Sequence, residues 1–399
     1  MSDYSKNMTL DMFLNAFPDW ERRLKDEPFQ ISIRRDGDYV LFKYNQFSTD
    51  LSYKFTQQCR GSIYRQDFDG KMMCVCRPFD KFFNYGEGNC ANIDWSTARV
   101  TEKVDGSLCK VWHDRGVWRL STNGTIDAFK APAGESDISF GDVFVRALGN
   151  MPVQMLGNCL DKDKTYMFEL TSVETHVVVP YSDGVYYLTS RNTETGEEDF
   201  SVPDFDSWFD IKYPKVYDLK SLDDVLCFVG VMNKNEEGVV VNDAQSHRVK
   251  FKSPEYLLAA RLTMNGQVTN KRLYQYIRDE KIDDFLAYVS NQKDRVDDMK
   301  RRIRDFCNKL DDGWNKIDFS QFSDRKSFVA SVINDPYKTY YFMKLDYPDA
   351  TALDYLFRQS DKTALNLLGL NMESSDKTVR RLPDISFFDK SDLVDEFGS

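Results

Sequence analysis

The chain has 399 residues, 14% of them aromatic, and a formal net charge of −11 at pH 7, which allows two domains with a sizeable core. That acidic balance excludes coating of nucleic acid by bulk positive charge, so any nucleic-acid site must be a local basic groove. Eight cysteines without a Cys-x-x-Cys pair and only three histidines, His113, His176 and His247, argue against a disulfide framework or a zinc site and fit reduced thiols.

Apolar positions Met8, Met12, Phe13 and Ala16 predict a short amphipathic helix over 8–17. From about residue 30 the pattern turns to strands, with β-prone runs at 39–44, 61–65 and 72–76 that read most simply as an antiparallel sheet. Residues 99–104, 108–113 and 117–122 alternate, and Asp114-Arg115-Gly116 turns between the last two. Lys103 then sits at a strand end, where a side chain can project into a cleft. Residues 142–160 read as helix, 166–170, 176–180 and 185–189 as strands with a polar turn at 192–198, and 238–241 with 248–251 as a hairpin. Beyond Lys252, helical apolar spacing over 255–264, 271–291, 294–310 and 324–334 predicts a second, helical domain, and 389–399 an acidic tail that frays. No apolar run reaches the roughly 18 residues of a membrane span. The N-terminus mixes Asp3, Lys6, Asp11, Asp19 and Glu21 with apolar residues, so a soluble, cytoplasmic protein is expected.

Lys103-Val104-Asp105-Gly106 is the string on which function turns. Alone it would arise by composition in roughly one 400-residue chain in ten, but it has company in order. Upstream stand Cys59-Arg60-Gly61 and the run from Arg77 to Asn84; downstream stand Phe168-Glu169-Leu170, Glu236-Glu237-Gly238 and Lys250-Phe251-Lys252. An amine that attacks phosphorus must be deprotonated near neutral pH, which partial desolvation and cations such as Lys250, Lys252 and Arg60 would favour at Lys103. Lys250 and Lys252 flank Phe251, so on a strand both ammonium groups share one side, suited to a phosphate chain. By the same alternation Glu237, not Glu236, faces them. Gly106 permits a close backbone approach.

Taken together, the order and spacing of these motifs from about residue 44 to 256 resemble the ATP-dependent RNA ligases of the covalent nucleotidyltransferase superfamily, the T-even phage RNA ligase 1 family in particular. The Arg-Pro-x-x-Lys-Phe-Phe-Asn string and the step from Gly238 to Lys250 favour that branch. The resemblance implies an α+β fold: a nucleotidyltransferase domain of antiparallel sheets flanked by helices at 1–254, then an all-helical C-terminal domain at 255–399 that recognises RNA or tRNA. It implies that Lys103 is adenylylated and that Tyr44, Arg60, Lys81, Asp105, Gly106, Glu169, Glu237, Lys250 and Lys252 hold the nucleotide. It assigns a metal to Glu169 and Glu237, partly through water, and to Asp283, although nearby Asp279 and Glu280 also fit a solvated helix face. ATP is then the co-substrate and Mg²⁺ or Mn²⁺ the cation. The implied partner is broken RNA, tRNA above all, sealed by a monomer in the cytoplasm of a phage-infected bacterium.

One departure stands out: relatives carry basic residues where this chain has Ser121 and Asn123, so either Lys110 or Arg119 substitutes from a neighbouring strand or this step of ligation is weaker. DNA ligases and capping enzymes are rivals, but an OB barrel does not fit the helical spacing after Lys252. A non-catalytic RNA-end or nucleotide-binding protein on a ligase scaffold is the alternative, and it has no chemical need for a nucleophilic lysine. The basic strip Arg295, Lys300, Arg301, Arg302 and Arg304, interleaved with Asp297, Asp298 and Asp305, reads as a salt-bridged helix surface.

Overall fold

The Thr9 hydroxyl accepts from the Met12 amide and starts the helix Leu10–Ala16, which buries Leu10, Phe13 and Leu14 against Phe29, Phe42 and Phe55. The computed structural model describes residues 4–371 apart from 46–48, 134–137, 175–181, 234–235, 255–268, 280–281, 283–285 and 287–291. The strand expected at 176–180, the helix at 255–264, the tail at 389–399 and the metal candidate Asp283 lie outside the described residues.

Four antiparallel strands, β1 (Ser32–Asp36), β2 (Tyr39–Lys43), β3 (Arg60–Gln66) and β4 (Met72–Cys76), form a first sheet in sequence order. The short strand β5 (Phe83–Asn84) and β6 (Arg99–Glu102) leave it for another sheet. Next come β7 (Ser107–Asp114) and β8 (Val117–Thr122), joined through Arg115 and Gly116 at φ +50° and +79°, the two left-handed residues that a tight hairpin turn requires. The helix Phe140–Ala147 follows, started by a capping box between Ser139 and Asp142. It is shorter than the helix expected over 142–160. Gly149 and Asn150 take φ +81° and +62°, which ends it, and the chain resumes only as a 3-10 helix at Val153–Asn158.

Strands β9 (Lys164–Thr171), β10 (Gly184–Asn192), β11 (Glu198–Asp199) and β12 (Ile211–Lys212) complete the second sheet, ordered β11-β10-β9-β7-β8 with β12 parallel to β10. A third sheet, β13-β6-β14-β15-β5, is built from β5, β6, β13 (Val216–Tyr217), β14 (Gly238–Asn242) and β15 (Arg248–Lys252). Its inner face packs Val239, Val241, Val249 and Phe251 on Val225 and Val229 of the helix Leu222–Gly230. The first and second sheets meet through Tyr39, Leu41, Ile63, Val75 and Trp112.

After Lys252 the described residues are helical: Asn270–Arg278, Lys293–Asn315, Arg325–Val332, Lys338–Asp346, Ala352–Phe357 and Asp361–Leu367. Leu273, Tyr274 and Ile277 pack on Val296, Met299, Ile303, Phe306 and Leu310 of the long helix, a cluster drawn only from this part of the chain. Asp298 pairs with Arg301 and Arg302, and Arg295 bonds Gln292 and Asn270, as a salt-bridged surface would. The α+β expectation holds, and among the described residues no helix is long and apolar enough to cross a membrane.

Gly106, just before β7, stands close against the neighbouring strand β9 of the second sheet. A Cβ there would stand 2.5 Å from the Leu170 carbonyl oxygen and 3.0 Å from Glu169 Cγ. Gly106→Ala must push β7 off β9, at a cost of roughly 1–3 kcal/mol. We expect a lower denaturant midpoint with an unchanged slope.

Candidate active site

Lys103 lies on the crossover from β6 to β7, the segment that passes from the third sheet to the second. Its backbone N–H donates to the Gly238 carbonyl at 2.9 Å, which pins the crossover to the start of β14. The side chain enters a cleft of ≈ 950 Å³ bounded by all three sheets. Of the residues singled out above, Tyr44, Arg60, Lys81, Lys103, Asp105, Gly106, Glu169, Glu237 and Lys250 line this one cleft. Lys252 joins them through Glu237.

Glu237 is the centre of the arrangement. One carboxylate oxygen lies 2.7 Å from Lys252 Nζ, and the other 2.7 Å from Lys103 Nζ, within ion-pair range but off the hydrogen-bonding direction. The Glu237 and Lys252 side chains are 3% and 5% exposed and Lys103 is 20% exposed, so Lys103 is the member open to a ligand. Lys103 is therefore held by a carboxylate, where the sequence pointed to neighbouring cations. Strand alternation places the rest: Lys250 and Lys252 share a face, Phe251 is buried against Tyr85 at 4.9 Å between centroids, and Glu236 turns away to bond Asn233.

The same cleft carries a cluster of further cations. Arg60 and Arg248 stand 4.7 and 4.6 Å from the centre of the Phe79 ring, cation–π contacts that fix both guanidinium planes. Arg248 is also clamped by two bonds to the buried Glu198 at 2.8 and 3.0 Å. Arg60 keeps its Nη1 buried without a hydrogen-bond partner, an unmet donor that an anion would satisfy. Lys81 Nζ sits 5.5 Å from the Tyr44 ring and 5.6 Å from Phe83; Phe83 itself is buried, the ordinary core role. Arg77 is likewise structural, paired through both terminal nitrogens with Asp11 at 2.8 Å.

Neither candidate for the missing cation at Ser121 and Asn123 reaches the cleft wall. Lys110 is fully buried, and Arg119 stacks 4.8 Å from the Tyr39 ring centre. Lys43 lines the cleft there instead, beside Asn123 and Gly124. Sequence reasoning missed Lys43 and also Arg248, although Arg248 continues the 250, 252 alternation and was open to the same argument.

The helical part supplies a rim. Arg278 and Asp279, at the end of the helix Asn270–Arg278, line the cleft, and Asp361 holds Arg278 at 2.8 Å. Burial raises the pKa of Tyr276, and among the charges acting on its phenol are Lys252 and Asp105. Arg34 ties the two parts together, donating to the Gly124 carbonyl at 2.6 Å and pairing with Asp354.

A lysine on a sheet-to-sheet crossover, a carboxylate and a second lysine behind it, and further arginines and lysines lining the same cleft define a member of the nucleotidyltransferase superfamily. Residues 58–256 match the family model described as RNA ligase, and the chain belongs to that RNA ligase family. It is 30% identical over 290 residues to a putative bifunctional polynucleotide kinase/RNA ligase of Autographa californica nuclear polyhedrosis virus, covering 67% of this chain and 40% of that one. It is 27% identical over 281 residues to RNA ligase 1 of bacteriophage TS2126, covering 66% of each. To the RNA ligase of Rhodothermus phage RM378 it is 28% identical over 185 residues, 38% of this chain and 41% of that one. The chain thus spans less than two thirds of the length of each of these relatives. Among solved structures, a Naegleria gruberi RNA ligase with PPi is 14% identical with a TM-score of 0.31, over 41% of this chain and 51% of that one.

Proposed function

We propose that the chain is an ATP-dependent RNA ligase that seals 5′-phosphate and 3′-hydroxyl RNA ends, with residues 1–254 carrying the chemistry and 255–399 engaging RNA. The observation that carries this reading is the Lys103–Glu237–Lys252 constellation in a cleft where the Arg60 guanidinium keeps a buried donor unmet. Lys103 Nζ leaves its pair with Glu237, loses a proton and attacks the α-phosphorus of ATP. A P–N bond forms, the bond to the β-phosphate oxygen breaks, and pyrophosphate departs. Lys250 and Lys252 face the oxygens on which negative charge builds, while Arg60 and Lys81 hold the outer phosphates. The adenylate then passes to the RNA 5′-phosphate, freeing Lys103, and the 3′-hydroxyl displaces AMP to form the phosphodiester.

Among the described residues no three His, Cys, Asp or Glu side chains gather into a metal cage. Glu169 and Glu237 are instead suited to a hydrated Mg²⁺ or Mn²⁺ whose remaining ligands are phosphate oxygens. Such a cation would neutralise charge on those phosphates. Broken tRNA as substrate, a monomeric state and a bacterial cytoplasm under phage infection complete the proposal.

The test is incubation of the purified protein with α-labelled ATP and Mg²⁺. Denatured protein should carry an acid-labile label, which is discharged on adding 5′-phosphorylated RNA and yields sealed product. Protein stripped of any bound AMP that takes no label would sink the reading in favour of a nucleotide-binding scaffold.

A further inference from the structure

Lys110 lies on β7 between the first and second sheets, its side chain wholly buried on the face it shares with Leu108 and Trp112. Its Nζ donates to the Gly61 carbonyl. This contact explains Gly61, which adopts φ +84° and where a Cβ would stand 2.8 Å from Lys110 Nζ and 2.7 Å from the Asn123 carbonyl oxygen. The ammonium therefore sits directly behind the turn that carries Arg60 and the loop that carries Asn123, both on the cleft wall.

The groups that face it are Cys76 on β4, Cys109 on β7, Arg60 on β3 and Lys43 on β2. Burial raises both thiols and keeps them neutral, so the charged neighbours are cations. No carboxylate among the described residues pairs with Lys110. Its Ser121 partner across the β7–β8 ladder is fully buried and offers a neutral hydroxyl, not a counter-charge. A buried ammonium with one hydrogen bond is unfavourable for folding unless something compensates its charge, and the cleft in front of it is where an anion would lie.

We propose that Lys110 is a positioning residue that fixes the Arg60–Gly61 turn from behind and, with Lys43, adds the positive charge with which that wall binds the nucleotide's phosphates. The inference rests on the ligase reading above. It also accounts for Ser121 and Asn123: the charge absent from the loop stands beneath it.

Burial lowers the Lys110 pKa from 10.5 to about 8. A lysine whose folded pKa lies below its unfolded one destabilises the native state fully below the folded value, and the penalty fades as pH rises toward the unfolded value. Lys110→Met keeps the volume and removes the charge. Its thermal midpoint at pH 7 should equal or exceed that of the wild type, with the gap closing above pH 8. Its half-saturating ATP concentration in the labelling assay at pH 7 should rise on the order of tenfold, with a smaller fall in maximal rate.

In the wild type the half-saturating concentration should climb as pH passes through about 8, and in Lys110→Met that climb should vanish. Half-saturation and maximal rate are read separately from the same saturation curves. A variant that loses stability at pH 7 while its half-saturation and pH dependence match the wild type would reduce Lys110 to a structural residue. Should the variant fail to fold, the wild-type profile decides alone, and a flat half-saturation from pH 7 to above 9 overturns the proposal. Wild type that takes no label would overturn the ligase reading and this one with it.

Discussion

Lys103→Ala is expected to remain folded and to take up no label from α-labelled ATP at any concentration of nucleotide. The structure separates those two outcomes. What fixes the crossover is backbone, the Lys103 N–H on the Gly238 carbonyl at 2.9 Å, and alanine keeps it. The side chain is the most exposed of the three charged groups, and after its removal Glu237 still has Lys252 at 2.7 Å, so the stability loss should be about 1 kcal/mol. The chemical loss is expected to be complete because Lys252, the lysine that shares Glu237 with Lys103, is nearly buried and bonded to Glu237. A matching unfolding midpoint and a blank gel would identify Lys103 as the nucleophile. Label persisting in the variant would move the chemistry to Lys250 or Lys81. A useful refinement is to supply pre-adenylylated RNA, whose sealing no longer requires the amine to attack ATP. Lys103→Ala should still seal it.

Legibility in the sequence followed periodicity. Short β-prone runs such as 39–44 and 72–76, and the alternating run 117–122, fall where the structure has β2, β4 and β8; β2 is apolar from Tyr39 to Phe42 because its two faces enter different cores. Alternation told Glu237 from Glu236. Elements without such a signature stayed hidden. The helix Leu222–Gly230 begins with two aspartates after Ser221, a capped start that its short apolar face does not advertise. The helices Lys338–Asp346, Ala352–Phe357 and Asp361–Leu367 are too short for their spacing to stand out from loops.

At the site, sequence supplied motif members but not their pairings. Nothing local says that Glu237 holds Lys103, or that Arg248 is tied to Glu198 fifty residues away, since both depend on how the second and third sheets meet. Lys110 was visible as a cation on a strand. That its charge lies behind the wall and not on it is a matter of tertiary packing, which alternation alone does not give.

Glu237→Gln should be the most damaging isosteric change in the cleft. The carboxylate is 3% exposed and stands between two ammonium groups, each 2.7 Å away; glutamine preserves its shape and leaves both cations without their shared counter-charge. Removing one partner from a buried pair costs about 3–5 kcal/mol. Because Lys103 is partly exposed and can swing outward, we expect a loss near the lower end, about 3 kcal/mol. It would be read as a lower denaturant midpoint with an unchanged slope. Labelling by ATP should fall by on the order of 10²-fold or more, since Lys252 would no longer be aimed along its strand face at the reacting phosphate.

A double-mutant cycle with Lys103→Ala isolates the cause. If the damage is repulsion between Lys103 and Lys252, removing Lys103 in the Glu237→Gln background should restore about 1 kcal/mol, opposite in sign to its effect in the wild type. A glutamate that merely solubilised the start of β14 would shift the midpoint by under about 0.5 kcal/mol and show no coupling. That result would separate Glu237 from the two lysines it holds.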